Sequence, residues 1–203
     1  MKLDSVTLEG KYVRLIPLSL GHLDELWNIA QDAELWKWTV TQIHSRQNME
    51  KYIDTALDLR QTNAAIPFTI LLKPEEIPDS KPQVVGCTRF ANIDVHNRHV
   101  EIGWTWVGKK WQRTAVNTEA KYLLLRHAFE EMKCVRVEFK TDALNDQSRT
   151  AILRLGAKEE GIFRQHSFTV SGRLRDSVYF SIIDSEWASV KSNLEKKMPR
   201  RHP

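Results

Sequence analysis

Glu101-Ile102-Gly103-Trp104-Thr105-Trp106-Val107, the loop Gly108 to Thr114, and then Ala115-Val116-Asn117-Thr118-Glu119-Ala120 form the most informative stretch of the chain. Bulky and β-branched residues fill the first part, which predicts a strand, with Gly103 the natural place for a bend or bulge. After the loop, Ala120, Leu123, Leu124, His127 and Ala128 recur at three- and four-residue spacing, which predicts a helix over 116–132. A helix N-terminus presents unpaired backbone N–H groups and a partial positive charge, so the loop leading into it can hold a phosphate. Every strand-to-helix connection offers some version of that geometry, so the neighbouring residues must say whether it is used.

Upstream, Tyr12-Val13-Arg14-Leu15-Ile16 before Pro17 reads as a first strand. Leu23, Leu26, Trp27 and Ala30 share one face of a helix over 20–30, and Ser45 is placed to cap a second helix with Met49, Tyr52, Ile53, Ala56 and Leu57 as its buried stripe. Between them Leu35-Trp36-Lys37-Trp38 is aromatic but irregular. Strands are expected over 68–72 and 83–90, joined by a surface loop holding Pro74, Pro78 and Pro82. Downstream come a strand over 134–140 and a helix over 146–155 ended by Gly156. A hairpin over 161–170 and 173–183 turns at Ser171-Gly172, and a last helix, capped by Asp184, carries Trp187, Val190 and Leu194.

The 203 residues form one domain spanning 1–203, with no repeat or dividing linker and a basic tail over 195–203. At 41% hydrophobic and 28% charged residues, the chain is too apolar for disorder and too polar for a membrane protein. No apolar run approaches the roughly 18 residues of a spanning helix. The first residues lack the pattern of a signal peptide, so a cytoplasmic location is expected, with no membrane partner. Cys87 and Cys134 each sit in an apolar, strand-like run and read as reduced packing residues. His96 and His99 are too few ligands for a metal site, so no metal is expected. The net charge of +4 is partly set by the tail, and no aromatic and basic interleaving accompanies it, so nucleic acid is an unfavoured partner.

Glu101-Ile102-Gly103-Trp104, Trp111-Gln112-Arg113-Thr114-Ala115 and Val116-Asn117-Thr118-Glu119-Ala120 together resemble the acetyl-CoA-binding core of GNAT-superfamily N-acetyltransferases, most closely the RimJ/RimL-type branch. In that family the strand precedes a pyrophosphate loop of pattern Arg/Gln-x-x-Gly-x-Gly/Ala and a helix beginning Thr-Glu-Ala. Asn145-Asp146-Gln147-Ser148 and Leu155-Gly156-Ala157-Lys158-Glu159-Glu160-Gly161 resemble a second family block, in the right order and spacing. Weaker likenesses at Arg175-Asp176-Ser177 and Asp184-Ser185-Glu186-Trp187 extend the resemblance over nearly the whole chain. Three departures stand out: Ala115 at the usual first glycine, Asn117 at a usual glycine or alanine, and Ile152 where many members carry a tyrosine that protonates the leaving thiolate. A Cβ at position 115 limits close approach to phosphate and penalises any positive φ there.

The resemblance implies an α/β (α+β) GNAT fold, with a mixed, mostly antiparallel sheet flanked by helices and splayed after Val107 to admit pantetheine. It implies acetyl-CoA as co-substrate, held by Trp106, Val107, Gln112, Arg113, Thr114, Ala115, Val116, Asn117, Thr118, Asn145 and Ser148. The acceptor is then a primary amine, on a small molecule or a protein N-terminus, in a monomer or homodimer. Acetyl transfer needs N–H donors for the developing oxyanion, expected from a bulged strand at Trp106 and Val107. It also needs a base for the amine: Glu101 is the first candidate, an ordinary strand-end carboxylate its plain alternative, and His166 the second candidate. Ser148 is placed to protonate the thiolate, and Asn145 to hold the pantetheine arm, though Asn145 also suits a plain helix cap. A catalytically weak CoA-binding relative is the alternative reading.

Overall fold

Eight strands among the described residues pair into one sheet, whose central strands run buried on both faces beneath the helices. The computed structural model describes residues 1–74 and 81–198; 75–80, with Pro78 of the proline-rich loop, and 199–203, with Arg200, Arg201 and His202 of the tail, lie outside the described residues. The strands are β1 (Leu8–Glu9), β2 (Val13–Pro17), β3 (Ile66–Leu72), β4 (Gln83–Asp94), β5 (His99–Val107), β6 (Arg136–Asp142), β7 (Lys158–Phe168) and β8 (Leu174–Ile183). Their spatial order is β1-β2-β3-β4-β5-β6-β8-β7, and every neighbouring pair is antiparallel except β5 and β6. This is the expected mixed, mostly antiparallel α/β sheet.

Helices cover the two faces unequally. On one, α1 (Leu23–Ala30) and α2 (Arg46–Gln61) bring Leu26, Ile53 and Ala56 down on Val84, Cys87 and Trp106. On the other, α3 (Ala115–Arg126), α4 (Asp146–Leu155) and α5 (Asp184–Lys197) join a larger core with Phe68, Phe90, Ile102, Val137 and Phe180. Both cysteines are buried and free, and burial pushes Cys87 up to about 12 and Cys134 up to about 11, as inert packing thiols should be. Trp36 also belongs to the core, 1% exposed, its indole N–H donating to the Ala30 carbonyl at 2.7 Å. Among the described residues no helix is long and apolar enough to cross a membrane.

Local signals explain most boundaries. Ser45 caps α2 by accepting from Asn48 N–H at 3.1 Å, and Gly156 ends α4 at φ 100°. Three expectations need correction. The helix foreseen over 116–132 is α-helical only to Arg126; residues 127–131 form a π-turn in which Met132 N–H bonds to the His127 carbonyl at 2.9 Å. The last helix is capped at Ile183, whose N–H donates to Glu186 at 3.2 Å, while Asp184 is its first helical residue. The third correction concerns where the sheet opens.

Candidate active site

The β5/β6 ladder consists of His99↔Arg136, Val100↔Val137 and Glu101↔Glu138 and then stops. Beyond it β5 stays on β4 as far as Val107, and β6 stays on β8 as far as Asp142. The sheet therefore opens after Glu101, well before the Val107 expected from sequence, because each strand is held by its outer neighbour. Residues 102–107 face the gap with no strand partner on that side.

Within β5 the register passes from Arg89↔Gly103 to Cys87↔Trp106, and Trp104 between them takes a φ of 47°. The irregularity thus centres on Trp104 rather than on Gly103 or Trp106. Gly103 has a different reason to be glycine: a Cβ there would lie 2.8 Å from Oε1 of Glu101. Further along, Gly108 N–H donates to the Val85 carbonyl at 2.9 Å, which makes 85 and 108 a hydrogen-bonded pair. Antiparallel alternation then turns the Trp106 N–H toward β4 and the Val107 N–H into the gap. Trp106 itself is buried, its ring 5.3 Å from Trp36.

The loop after β5 ends at the N-terminus of α3. Gln112 Nε2 donates to the Val107 carbonyl at 3.0 Å, and its Oε1 accepts from Gln147 on α4 at 3.2 Å, so one side chain ties the strand end, the loop and the next helix together. Arg113 carries the positive φ, 60°. Thr114 caps the helix, accepting from Val116 N–H at 3.3 Å, and Ala115 opens α3 as its first residue. The positive-φ penalty foreseen at Ala115 does not arise, because the left-handed position falls two residues earlier. Ala115, Val116 and Asn117 form the first turn, and Thr118 follows. Glu119, by contrast, turns away to the N-terminal strand and accepts from the N–H groups of Lys11, Tyr12 and Val13 at 2.6–2.7 Å. On the far side of the gap, Asn145 caps α4 by accepting from Ser148 N–H at 3.0 Å, and Ile152 is buried in the larger core.

Glu101 stands where the ladder ends and is 4% exposed. Its Oε2 accepts from Asn92 Nδ2 at 2.7 Å and lies 3.4 Å from Lys140 Nζ. Lys140 also lies over the Tyr179 ring, which packs against His166, and His166 Nδ1 is 3.0 Å from Ser177 Oγ. The fold so places Glu101 and His166 on one polar sheet face, linked through Lys140 and Tyr179. On the opposite face Lys121 of α3 is buried, 2.5 Å from Thr105 Oγ1 and over the Phe139 ring of β6 at 5.8 Å. Lys121 therefore spans the floor of the gap. Desolvation lowers its pKa to about 7, with the Glu101 charge pulling the other way.

Sequence reasoning missed Lys121, Lys140, Gln147, Tyr52 and Arg89. Lys121 left a trace as a cation on the same helical face as Leu124 and Leu125, Tyr52 as a member of the buried stripe of the second helix, and Gln147 inside the Asn145 to Ser148 block. The others depend on pairings between distant strands and helices.

Comparison with known proteins agrees with this geometry. The family described as "Acetyltransferase (GNAT) domain" matches residues 13–158. The protein YdaF of Bacillus subtilis is 35% identical over 106 residues, a match spanning 52% of this chain and 57% of YdaF. The ribosomal-protein-serine acetyltransferase of Escherichia coli is 26% identical over 144 residues, covering 71% of this chain and 75% of that protein. Among solved structures, a GCN5-related N-acetyltransferase from Brucella melitensis superposes with a TM-score of 0.86 at 29% identity, covering 97% of this chain and 86% of that one. With a family match over most of its length and the opened β5/β6 pair at its centre, the chain belongs to the GNAT acetyltransferase family, in the neighbourhood of the RimJ/RimL-like ribosomal-protein acetyltransferases.

Proposed function

We propose that the protein is an acetyl-CoA-dependent N-acetyltransferase that moves the acetyl group directly to a primary amine, a protein N-terminus or a small-molecule amine, within a ternary complex. The observation that carries this reading is the early end of the β5/β6 ladder. It leaves unpaired backbone along residues 102–107, a helix N-terminus at one end of the gap and a buried carboxylate at the other. An extended pantetheine amide can take the place of the missing strand partner, and the N–H groups of the first turn of α3 suit a pyrophosphate.

In this reading residues 112–118 receive the pyrophosphate and Asn145 orients the pantetheine arm. The amine nitrogen attacks the thioester carbon, and Val107 N–H donates to the oxyanion that forms. Glu101 removes the amine proton, directly or through one water, with its Oε2 anchored by Asn92 and Lys140. As the tetrahedral intermediate collapses, the C–S bond breaks, the amide forms, and Ser148 supplies a proton to the departing thiolate. Acetyl-CoA in the gap and the amine on the polar face beside Glu101 would then be held together, which direct transfer requires.

The test is thermal unfolding with acetyl-CoA, followed by thiol release with a panel of amines. A ligand at about 100 times its dissociation constant adds about 2.7 kcal/mol of stability. No stabilisation by excess acetyl-CoA removes the binding claim; stabilisation without thiol release from any amine removes the catalytic one.

A further inference from the structure

Beside the bulge in β5 lies a pocket of about 230 Å3 between α2 and the sheet, whose lining includes Gln42, Asn48, Lys51, Tyr52, Arg89 and Trp104. Arg89 is 3% exposed, with its guanidinium 4.9 Å from the Tyr52 ring centre and 5.2 Å from that of Trp104. Among the described residues Arg89 makes no ion pair, and none of the residues lining the pocket is acidic. Lys51 adds a second cation at the rim. The carboxylate diagonally across the sheet, Glu101, is engaged with Lys140 and Asn92. A desolvated guanidinium held between two aromatic rings, opening on a pocket with no carboxylate, is a site short of one anion.

We propose that this pocket binds a carboxylate of the acceptor, so that the preferred amines carry a carboxylate a few bonds from the nitrogen. The inference rests on the acetyltransferase reading above, and the register of the sheet sets its geometry. Arg89 pairs with Gly103 and Ala91 with Glu101, so Arg89 and Glu101 are diagonal neighbours on one face, roughly 7–8 Å apart at their Cα atoms. The two cations repel a protonated amine, so an acceptor with its carboxylate on Arg89 turns its amine toward Glu101. The planar guanidinium fork suits a carboxylate bidentately. An acidic side chain at or next to a peptide N-terminus and a small amino acid both offer that chemistry.

Two arms distinguish these sources, using the intact protein. The first measures acetylation of short peptides with Asp or Glu against Asn or Gln at the first or second position. The second compares small amino acids with their amides. Where a carboxylate is accepted, its KM should be roughly tenfold to a hundredfold lower than that of the amide, as for a hydrogen bond to a charged group. Arg89→Met should abolish the difference while keeping the stabilisation by acetyl-CoA, and Lys51→Gln, at the exposed rim, should shrink it without risk to folding. Equal KM values for acid and amide in both arms overturn the pocket and leave the acetyltransferase reading standing. Should no amine react at all, thermal shift with succinate against succinamide still decides: protection by succinate alone, absent in Arg89→Met and reduced in Lys51→Gln, supports the site, and equal effects of the two overturn it.

Discussion

Glu101 is held by one oxygen while the other lies over Gly103, the side chain that would have displaced it being absent. A base so fixed acts by geometry, and its removal has a recognisable signature. Glu101→Gln should lower kcat about 100-fold, most severely at low pH where the amine is largely protonated, with unchanged acetyl-CoA affinity. Ser148→Ala should lower turnover by a similar factor without that pH dependence. Equal, pH-independent losses in both would mean that the two side chains only position substrate. Lys121 allows a test with no substrate present. Its folded pKa of about 7 lies below its ordinary 10.5, so between those values the unfolded chain holds a proton that the folded one lacks. Stability then rises with pH through that window, by up to about 1.4 kcal/mol per unit, and is lowest at and below pH 7. Lys121→Met should flatten this slope and be more stable than the parent at pH 7.5, the advantage shrinking by pH 9.5. Urea unfolding at the two pH values checks it; an unaltered slope would show that the ammonium stays charged in the fold.

At the scale of the element, the phosphate-binding proposal concerns backbone donors, which ordinary substitutions leave in place. Ala115 is the first residue of α3, and Thr114 before it has extended angles, φ −108° and ψ −176°. Both conditions suit proline. Ala115→Pro should remove one N–H from the first turn and leave stability level or raised by about 0.4–1 kcal/mol. Acetyl-CoA affinity should fall severalfold, as calorimetric titration would show, and unchanged affinity would place the phosphates elsewhere. The same element shows how far sequence reading reaches. The period of Ala120, Leu123 and Leu124 made α3 legible, and Ser45, Asn145 and Gly156 marked helix ends because capping is local chemistry. The end of the β5/β6 ladder was placed too late, since β5 is uniformly strand-like in sequence and only the pairing register of its neighbours reveals where β6 departs. The pattern of a glycine loop raised the question of a positive φ at Ala115, which keeps its place in the helix. The positive φ of the loop falls at Arg113 because Thr114 supplies the cap and the helix begins directly after it.

Across the whole molecule, Glu119 adds a polar tie to the apolar packing that holds the helix opening on the gap against the first strands of the sheet. Glu119 appeared in sequence only as the middle of a Thr-Glu-Ala match, yet its two oxygens satisfy three backbone N–H groups of Lys11, Tyr12 and Val13, where β2 begins. Gly10 leaves room for it, since a Cβ there would come within 2.6 Å of the carboxylate. Three donors converging on two acceptors require a carboxylate, because an amide in its place would point an NH2 group at one of those backbone N–H groups. Glu119→Gln should therefore cost about 2–3 kcal/mol, from the loss of charge assistance and an amide NH2 set against a backbone N–H. For a chain of this size that lowers the melting temperature by roughly 5–10 °C. Because the tie lies outside the gap, acetyl-CoA protection measured well below the transition should persist in the variant. Loss of protection with the fold intact would instead show that the start of β2 sets the orientation of the phosphate-facing helix end, making Glu119 part of the binding machinery rather than of the scaffold.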